Sequence, residues 1–264
     1  MRILVVNDDG ISAEGLAVAE EIAAAVAGSA KDVWVVAPAF EQSGVAHCIS
    51  YIRPMRLEPL GPRRVAIEGS PADCVLAAVH EIMKDSPPDL ILSGVNRGHN
   101  VAEDTLYSGT IGGAMEAALQ GYRAIALSQY YGPGNHGLDD PYEAARVHGP
   151  AVIRAILEAD VWEDRRYGVF YNVNFPPVTA AGITGIRVTR QGHRPNATFG
   201  VQVQKAPNMR TYLWLTHGQG NDSAEPGSDA YETLHGAITV TPLRADLTAE
   251  DLVAPLARVI DRAP

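Results

Sequence analysis

Ile3-Leu4-Val5-Val6-Asn7-Asp8-Asp9-Gly10 is the stretch that decides the fold of this chain. The apolar run has the length of a buried parallel strand, and Gly10 permits the tight turn that ends it. A helical composition follows from Glu14 to Ala27, rich in Ala, Glu, Ile and Leu and closed by Gly28. In open α/β folds the carboxyl ends of the strands line the ligand crevice, and Asp8 and Asp9 stand at such an end. Two adjacent carboxylates there raise each other's pKa unless a cation lies between them. Mg²⁺ and Mn²⁺ prefer oxygen ligands, so the expectation is a metal-dependent enzyme acting on something phosphorylated.

The same alternation continues along the chain. Asp32 to Ala37 reads as a second strand ending at Pro38, and residues 38 to 62 as irregular, with a short strand pair near Ile49 to Leu57. Val65-Ala66-Ile67 is a strand, Pro71 opens a helix to Met83, and Asp89 to Ser93 is a further buried strand. A helix is expected over Thr110–Leu119, a strand over Ala124–Ser128, and a helix over Tyr142–Ala159. Repeated βαβ units predict an α/β fold: a Rossmann-like, doubly wound, mostly parallel sheet.

After Phe175-Pro176-Pro177 the texture changes. Ile186–Thr189, Thr211–Thr216 and Ala237–Thr241 read as strands without intervening helices, and Gly218 to Gly236 as a long hairpin tip or loop. A last helix is expected over Ala249–Ile260. The expected division is a core over 1–178 and a β-rich appendage with a terminal helix over 179–264. Exposed strand edges invite pairing, so this appendage is expected to build an oligomer.

The 21 Lys and Arg against 31 Asp and Glu give a net charge of −10, which argues against nucleic acid polymers as partners. A small anionic substrate fits such a surface if a metal supplies local positive charge. Cys48 and Cys74 form no C-x-x-C pair and read as buried free thiols. The early apolar run is short and ends in two aspartates, and no run approaches a transmembrane length. A cytoplasmic protein without membrane association is therefore expected, in which the glycosylation-like Asn196-Ala-Thr198 and Asn221-Asp-Ser223 carry no meaning.

Three loops after predicted parallel strands bear small oxygen-carrying side chains. They are Asn7 to Gly10, Pro38 to Gly44 with Ser43, and Ser93 to Asn100 with Asn96, joined by Tyr107-Ser108-Gly109-Thr110 before a helix. Asp8 and Asp9 can share a cation only if the chain already turns there, since adjacent strand residues face opposite ways. Two carboxylates, a hydroxyl and an amide would leave a divalent site near neutrality, with positions open to water and a phosphate oxygen. Each piece has a plainer reading: the Asp pair as a helix cap, Ser43-Gly44 as a turn, Asn96 as a left-handed turn residue. Ser108 is first of all an N-cap, although the same helix start can hold a phosphate. Asp73, at another helix start, reads as structural. Arg97 reads equally as a phosphate contact or a surface ion pair, and Tyr212 and Trp214 as interface or packing residues.

Asn-Asp-Asp-Gly-Ile at 7–11, Val-Val-Ala-Pro at 35–38 with Gln-Ser-Gly at 42–44, and Gly-Ser-Pro-Ala-Asp-Cys-Val at 69–75 resemble the SurE family of survival-protein nucleotidases. Leu-Ser-Gly-Val-Asn-Arg-Gly-His-Asn at 92–100, Tyr-Ser-Gly-Thr at 107–110, Gly-Ile-Arg-Val-Thr-Arg at 185–190 and Val-Thr-Pro-Leu at 240–243 extend the resemblance in order along the chain. It implies a divalent-metal phosphomonoesterase, a 5′-nucleotidase with nucleoside monophosphate substrates, one Mg or Mn ion per subunit, and dimers or tetramers exchanging C-terminal segments. Whether 3′ esters and short polyphosphate are cut as well is left open by the sequence. Residue by residue it implies Asp8, Asp9, Ser43 and Asn96 at the metal, and Asn96, Asn100, Ser108, Gly109 and Thr110 toward the phosphate. Two departures stand out: Ala39-Phe40-Glu41-Gln42 lacks the family's usual basic residue, and His99 replaces the usual Pro.

Rival chemistries fit less well. A haloacid-dehalogenase-like phosphatase needs a nucleophilic Asp two positions before a second Asp, where Asn7 stands before Asp9. A response-regulator receiver needs a phosphoacceptor Asp that Cys48 to Leu60 does not supply, and no G-x-G-x-x-G follows the first strand. The histidines form no zinc-binding pattern. A metal-binding, phosphate-responsive scaffold without hydrolytic activity stays as the alternative.

Overall fold

A computed structural model describes residues 1–162, 167–195, 199–217 and 224–261. The strand β1 (Ile3–Val6) is buried along its whole length and divides two hydrophobic cores. Its pleat sends Ile3 and Val5 into one and Leu4 and Val6 into the other. The helix α1 (Glu14–Ala27) ends where Gly28 turns left-handed and its amide returns to Ala24 O. Next come β2 (Val33–Pro38), β3 (Leu57–Gly61), β4 (Arg64–Ile67) and α2 (Pro71–Ala77), the last continued by a π-helical turn over Ala78–Ile82. Then follow β5 (Leu90–Arg97), α3 (Gly109–Leu119), β6 (Ala124–Gln129), α4 (Glu143–Ala159) and β7 (Phe170–Phe175). The remaining elements are β8 (Gly185–Val188), β9 (Phe199–Lys205), β10 (Thr211–His217), α5 (Asp229–Leu234), β11 (Ala237–Leu243) and α6 (Glu250–Ile260).

Nine strands form one sheet in the order β3-β4-β2-β1-β5-β6-β7-β11-β8. Pairings from β4 through β7 are all parallel, while β3 and β11 add antiparallel contacts at the flanks. Apolar residues of α1 and α4 fill one core and those of α2 and α3 the other, so the sheet is covered on both faces. The strand order reverses between β1 and β5, and a crevice opens outside their carboxyl ends. The expected fold class is the observed one.

Several details differ from the sequence reading. No strand pair occupies 49–57; β3 begins at Leu57 and pairs with β4, because Leu57–Gly61 and Arg64–Ile67 are joined by a tight turn. The strands β7 and β9 were not expected, and α5 lies inside the stretch read as a loop. Cys48 is exposed rather than buried because it sits in the irregular segment before β3, while Cys74 is buried as expected. Two strands from the 179–264 segment, β8 and β11, extend the main sheet, whereas β9 and β10 form a separate antiparallel hairpin. The two glycosylation-like triplets begin at Asn196 and Asn221, outside the described residues. Among the described residues no helix is long and apolar enough to cross a membrane.

Candidate active site

The three oxygen-bearing loops converge at the point where the strand order reverses. Gly10, at φ 98°, turns the chain, and Ile11 N donates to Pro38 O at 2.8 Å, which ties the first loop to the end of β2. The Asp8 carbonyl accepts from Gln42 N at 2.7 Å, so the second loop crosses over the acidic pair. The third element is the amino end of α3, capped by Ser108, whose Oγ accepts from Ile111 N at 3.1 Å.

Asp8 is 3% exposed. Its Oδ1 accepts from Thr110 Oγ1 at 2.5 Å and its Oδ2 from Thr110 N at 3.0 Å. That approach depends on Gly109, where a Cβ would lie 2.9 Å from Asp8 Cβ and 3.2 Å from Gln42 O. Burial, and then the adjacent Asp9 charge, push the Asp8 carboxyl up to about 6, with the Thr110 hydrogen bonds opposing the shift. Asp9 is raised too, chiefly by burial and further by Glu41, while its bond from the Arg97 amide at 3.0 Å works the other way.

Asp8, Ser43, Asn96, Asn100 and Ser108 line one cavity of about 590 Å³. Asp9 lines an adjoining cavity of about 330 Å³ with Glu14 and Glu41, and Arg97 and Tyr131 stand in the wall common to both. Gly109 and Thr110 are buried behind Asp8 and do not line the cavity, so Thr110 meets the site through its two bonds to that carboxylate. Asn96 donates from Nδ2 to Gly98 O at 3.0 Å, which commits the nitrogen side of its amide and leaves the oxygen side for a ligand. Ser43 donates to Glu41 Oε1 at 2.7 Å and keeps acceptor capacity on the same oxygen.

Asn100 is held by residues the sequence reading did not single out. Its amide donates to Asn174 Oδ1 at 2.8 Å, its Nδ2 donates to Ser128 Oγ at 2.8 Å, and its carbonyl accepts from Asn172 Nδ2 at 2.7 Å. Asn172 and Asn174 alternate with Val173 on β7; that period of two was the available signal. His99 stacks on Tyr130 with ring centroids 4.2 Å apart and lies 3.4 Å from Asp104 Oδ2. The buried Arg194 lies behind Asp104, which lines the cavity, with Nη2 at 2.8 Å from Asp104 Oδ1 and Nε at 3.1 Å from Glu103 Oε2. Asp73 faces elsewhere: it accepts from Ser50 N and Oγ and from Ser70 N, a capping box that fastens the long loop before β3.

The donor chemistry suits a hard divalent ion. Among the described residues no group of three or more His, Cys, Asp and Glu is placed to hold a metal. A cation here would draw on Asp8 and Asp9 together with the neutral oxygens of Ser43 and Asn96. Two buried or half-buried carboxylates with raised pKa are the electrostatic imbalance such an ion relieves.

Comparison with known proteins gives a consistent result. The family model described as survival protein SurE matches residues 3–198. A protein named 5′-nucleotidase SurE from Roseobacter denitrificans is 60% identical over 98% of this chain and 99% of its own length. One of the same name from Ruegeria pomeroyi is 57% identical over 97% of this chain and 98% of its own. The crystal structure of the SurE protein from Aquifex aeolicus superposes with a TM-score of 0.81 at 31% identity, covering 99% of this chain and all of that one.

Proposed function

This chain belongs to the survival protein SurE family, and on that premise we propose that it is a divalent-metal-dependent 5′-nucleotidase, hydrolysing nucleoside monophosphates to nucleoside and phosphate. The observation that carries the reading is the meeting of Asp8, Ser43, Asn96 and Ser108 on one cavity wall at the β1–β5 boundary. Asp8, Asp9, Ser43 and Asn96 would hold the ion. When bound, it supplies Lewis-acid polarisation of a phosphoryl oxygen and lowers the pKa of a coordinated water.

The chain's own groups divide the remaining work. Thr110 orients the Asp8 carboxylate with two donors, so that the ligand arrives already positioned. Ser108 Oγ accepts from Ile111 N and keeps its own proton to donate into the cavity it lines, where a phosphoryl oxygen gains charge. The amino end of α3 spends its Thr110 and Ile111 amides on Asp8 Oδ2 and Ser108 Oγ, so it acts on the site by holding these two lining residues in place. Asn100, fixed by Asn174, Asn172 and Ser128, adds a buried amide to the same cavity lining. No comparison favours the non-hydrolytic scaffold or receiver-like alternative.

The segment after β7 supplies the assembly. Val201, Val203, Leu213 and Leu215 share one face of the β9–β10 hairpin and are exposed, as is the apolar stripe Leu252, Val253, Leu256, Val259 and Ile260 of α6. Self-association into a dimer or tetramer through these surfaces follows.

A phosphate-release screen over nucleoside 5′- and 3′-monophosphates and tripolyphosphate tests the reading. Release from 5′-monophosphates should disappear with EDTA and return with Mn²⁺ or Mg²⁺. Full turnover in chelator-washed, metal-free protein would overturn the metal assignment, and no release with any metal would overturn the activity.

A further inference from the structure

On the phosphomonoesterase reading of this cavity, we propose that Arg97 captures and positions the substrate phosphate, with the Tyr131 ring as the platform that holds its guanidinium at the mouth. Arg97 is the last residue of β5, one position beyond Asn96, and it borders both cavities. Its carbon Cζ lies 4.7 Å from the centroid of the Tyr131 ring. Its backbone N–H donates to Asp9 Oδ2 at 3.0 Å, so the main chain is pinned to the acidic pair while the side chain reaches outward.

The electrostatics of the mouth give this residue its importance. Asp8 and Asp104 border the larger cavity, and Asp9, Glu14 and Glu41 the smaller one. Among the described lining residues Arg97 is the one permanent cation, in a chain of net charge −10. A phosphate dianion approaching this crevice meets the negative charges of Asp9, Glu14 and Glu41 on the smaller cavity and of Asp8 on the larger, and the Arg97 guanidinium is the formal positive charge that the lining sets against them. The residues that the loop after β2 places on the two cavities, Glu41, Ser43 and Gly44, add no cation.

A surface ion pair is the competing role for an exposed arginine. Among the described residues no carboxylate oxygen lies within 4.0 Å of the Arg97 guanidinium nitrogens; its partner is the Tyr131 face. Stacking on a ring leaves the in-plane N–H fork available, which is the geometry that matches two phosphate oxygens at once. Lysine lacks both the planar fork and the stacking, so the two cations are not equivalent here.

The test uses full-length, Mg²⁺-loaded protein as wild type, Arg97→Gln, Arg97→Lys and Tyr131→Leu. Calorimetric binding of inorganic phosphate is measured beside kcat and KM for a nucleoside 5′-monophosphate, and thermal melting checks folding. Losing a charge-assisted Arg–phosphate contact, Arg97→Gln should weaken phosphate binding and raise KM by about tenfold or more. The change in kcat should stay below about threefold, since the contact is made in ground and transition states alike. Arg97→Lys should recover part of the loss, Tyr131→Leu should weaken phosphate binding by about threefold, and the wild-type advantage should shrink with added salt. Phosphate Kd and KM within twofold of wild type in Arg97→Gln would overturn the proposal while leaving the nucleotidase reading intact. Arg97-dependent phosphate binding in a protein that cleaves no nucleotide would overturn the nucleotidase reading and keep the anion-capturing role.

Discussion

The crevice at the ends of β1 and β5 buries charge, whereas the β9–β10 hairpin and α6 expose apolar surface. Asp8 is 3% exposed, yet Leu213 is 65%, Trp214 60% and Leu215 76% exposed. Each arrangement is costly by itself. A buried carboxylate loses hydration, and an apolar face in water forgoes about 25 cal/mol for every Å² it leaves uncovered. The first cost is offset inside the chain by Thr110, by backbone donors and, on our reading, by a metal ion. The second has no such compensation within the described part of the chain, and we assign it to other copies. On these two proposals, one region needs only an ion to be complete in a single chain, and the other needs a partner.

The largest expected effect breaks the second half of this comparison. Replacing Leu213 and Leu215 by Asp would place charges on the exposed hairpin face, each forfeiting about 1.5–3 kcal/mol of side-chain burial at every copy of an interface. Sedimentation should show an oligomer for wild type and a monomer for the double variant, with the sheet still melting cooperatively. A wild-type protein that sediments as a compact, active monomer would remove the oligomer proposal.

Next in size comes the acidic pair. Asp9→Asn keeps the side-chain volume and removes one charge. If the pair only capped a helix, Asn would cap nearly as well and little would change. If it holds the metal, turnover at matched metal concentration should fall by about 100-fold, roughly 2.7 kcal/mol of transition-state stabilisation. The metal-free protein should be no less stable, because repulsion from Asp8 is relieved. Wild-type rates in Asp8→Asn and Asp9→Asn would return the pair to a capping role.

A smaller effect is expected behind the cavity wall. Asn174 is fully buried; it accepts from Asn100 N at 2.8 Å and donates toward Asn100 O and Asn172 Oδ1 at 3.2 Å. Asn174→Leu would strand these buried partners, at a cost of about 2 kcal/mol in folding stability. The nucleotide KM or kcat should change with it if Asn100 contacts substrate. A variant with unchanged melting temperature and kinetics would show that Asn100 needs no such support.

This last case marks the boundary of what the sequence revealed. The strands β1, β2, β5 and β6 are continuous apolar runs because both faces of the sheet are covered, and such runs are legible without knowing the fold. The strand β7 is buried as well, but Asn172 and Asn174 interrupt its apolar pattern because they serve the site rather than the core. Asp8, Asp9 and Ser43 sit in loops directly after readable strands, and Asn96 in the last turn-like stretch of β5 that the sequence reads as a loop, so position suggested them. Their supports lie far along the chain: Thr110 is 102 residues from Asp8, and Asn174 is 74 residues from Asn100. No local pattern announces such pairings. Strand β9 went unread for a different reason: with both faces solvent-accessible in one chain, Gly200, Gln202 and Gln204 dilute its alternation.

The smallest effect sharpens the first half of the comparison by asking whether the charge at Asp8 is uncompensated without metal. Its ordinary pKa near 3.8 is pushed up to about 6 in the folded chain, by burial first and Asp9 second. The folded state therefore binds the Asp8 proton more tightly than the unfolded state between those two values. Stability from this group is fully present below the unfolded pKa and is lost as pH rises through the folded one. Integrated from pH 5 to pH 7, the loss is about 1.3 kcal/mol. Metal-free wild type should thus be more stable at pH 5 than at pH 7 by that amount relative to Asp8→Asn, which has no proton to release. Saturating Mg²⁺ should reverse the trend, because the ion binds the ionised carboxylate and competes with the proton. Denaturant melts of both proteins at the two pH values, with and without metal, measure the difference directly. Parallel pH dependence in wild type and Asp8→Asn would mean that Asp8 is already ionised at low cost in the metal-free fold. The need for a cation would then lose its electrostatic basis.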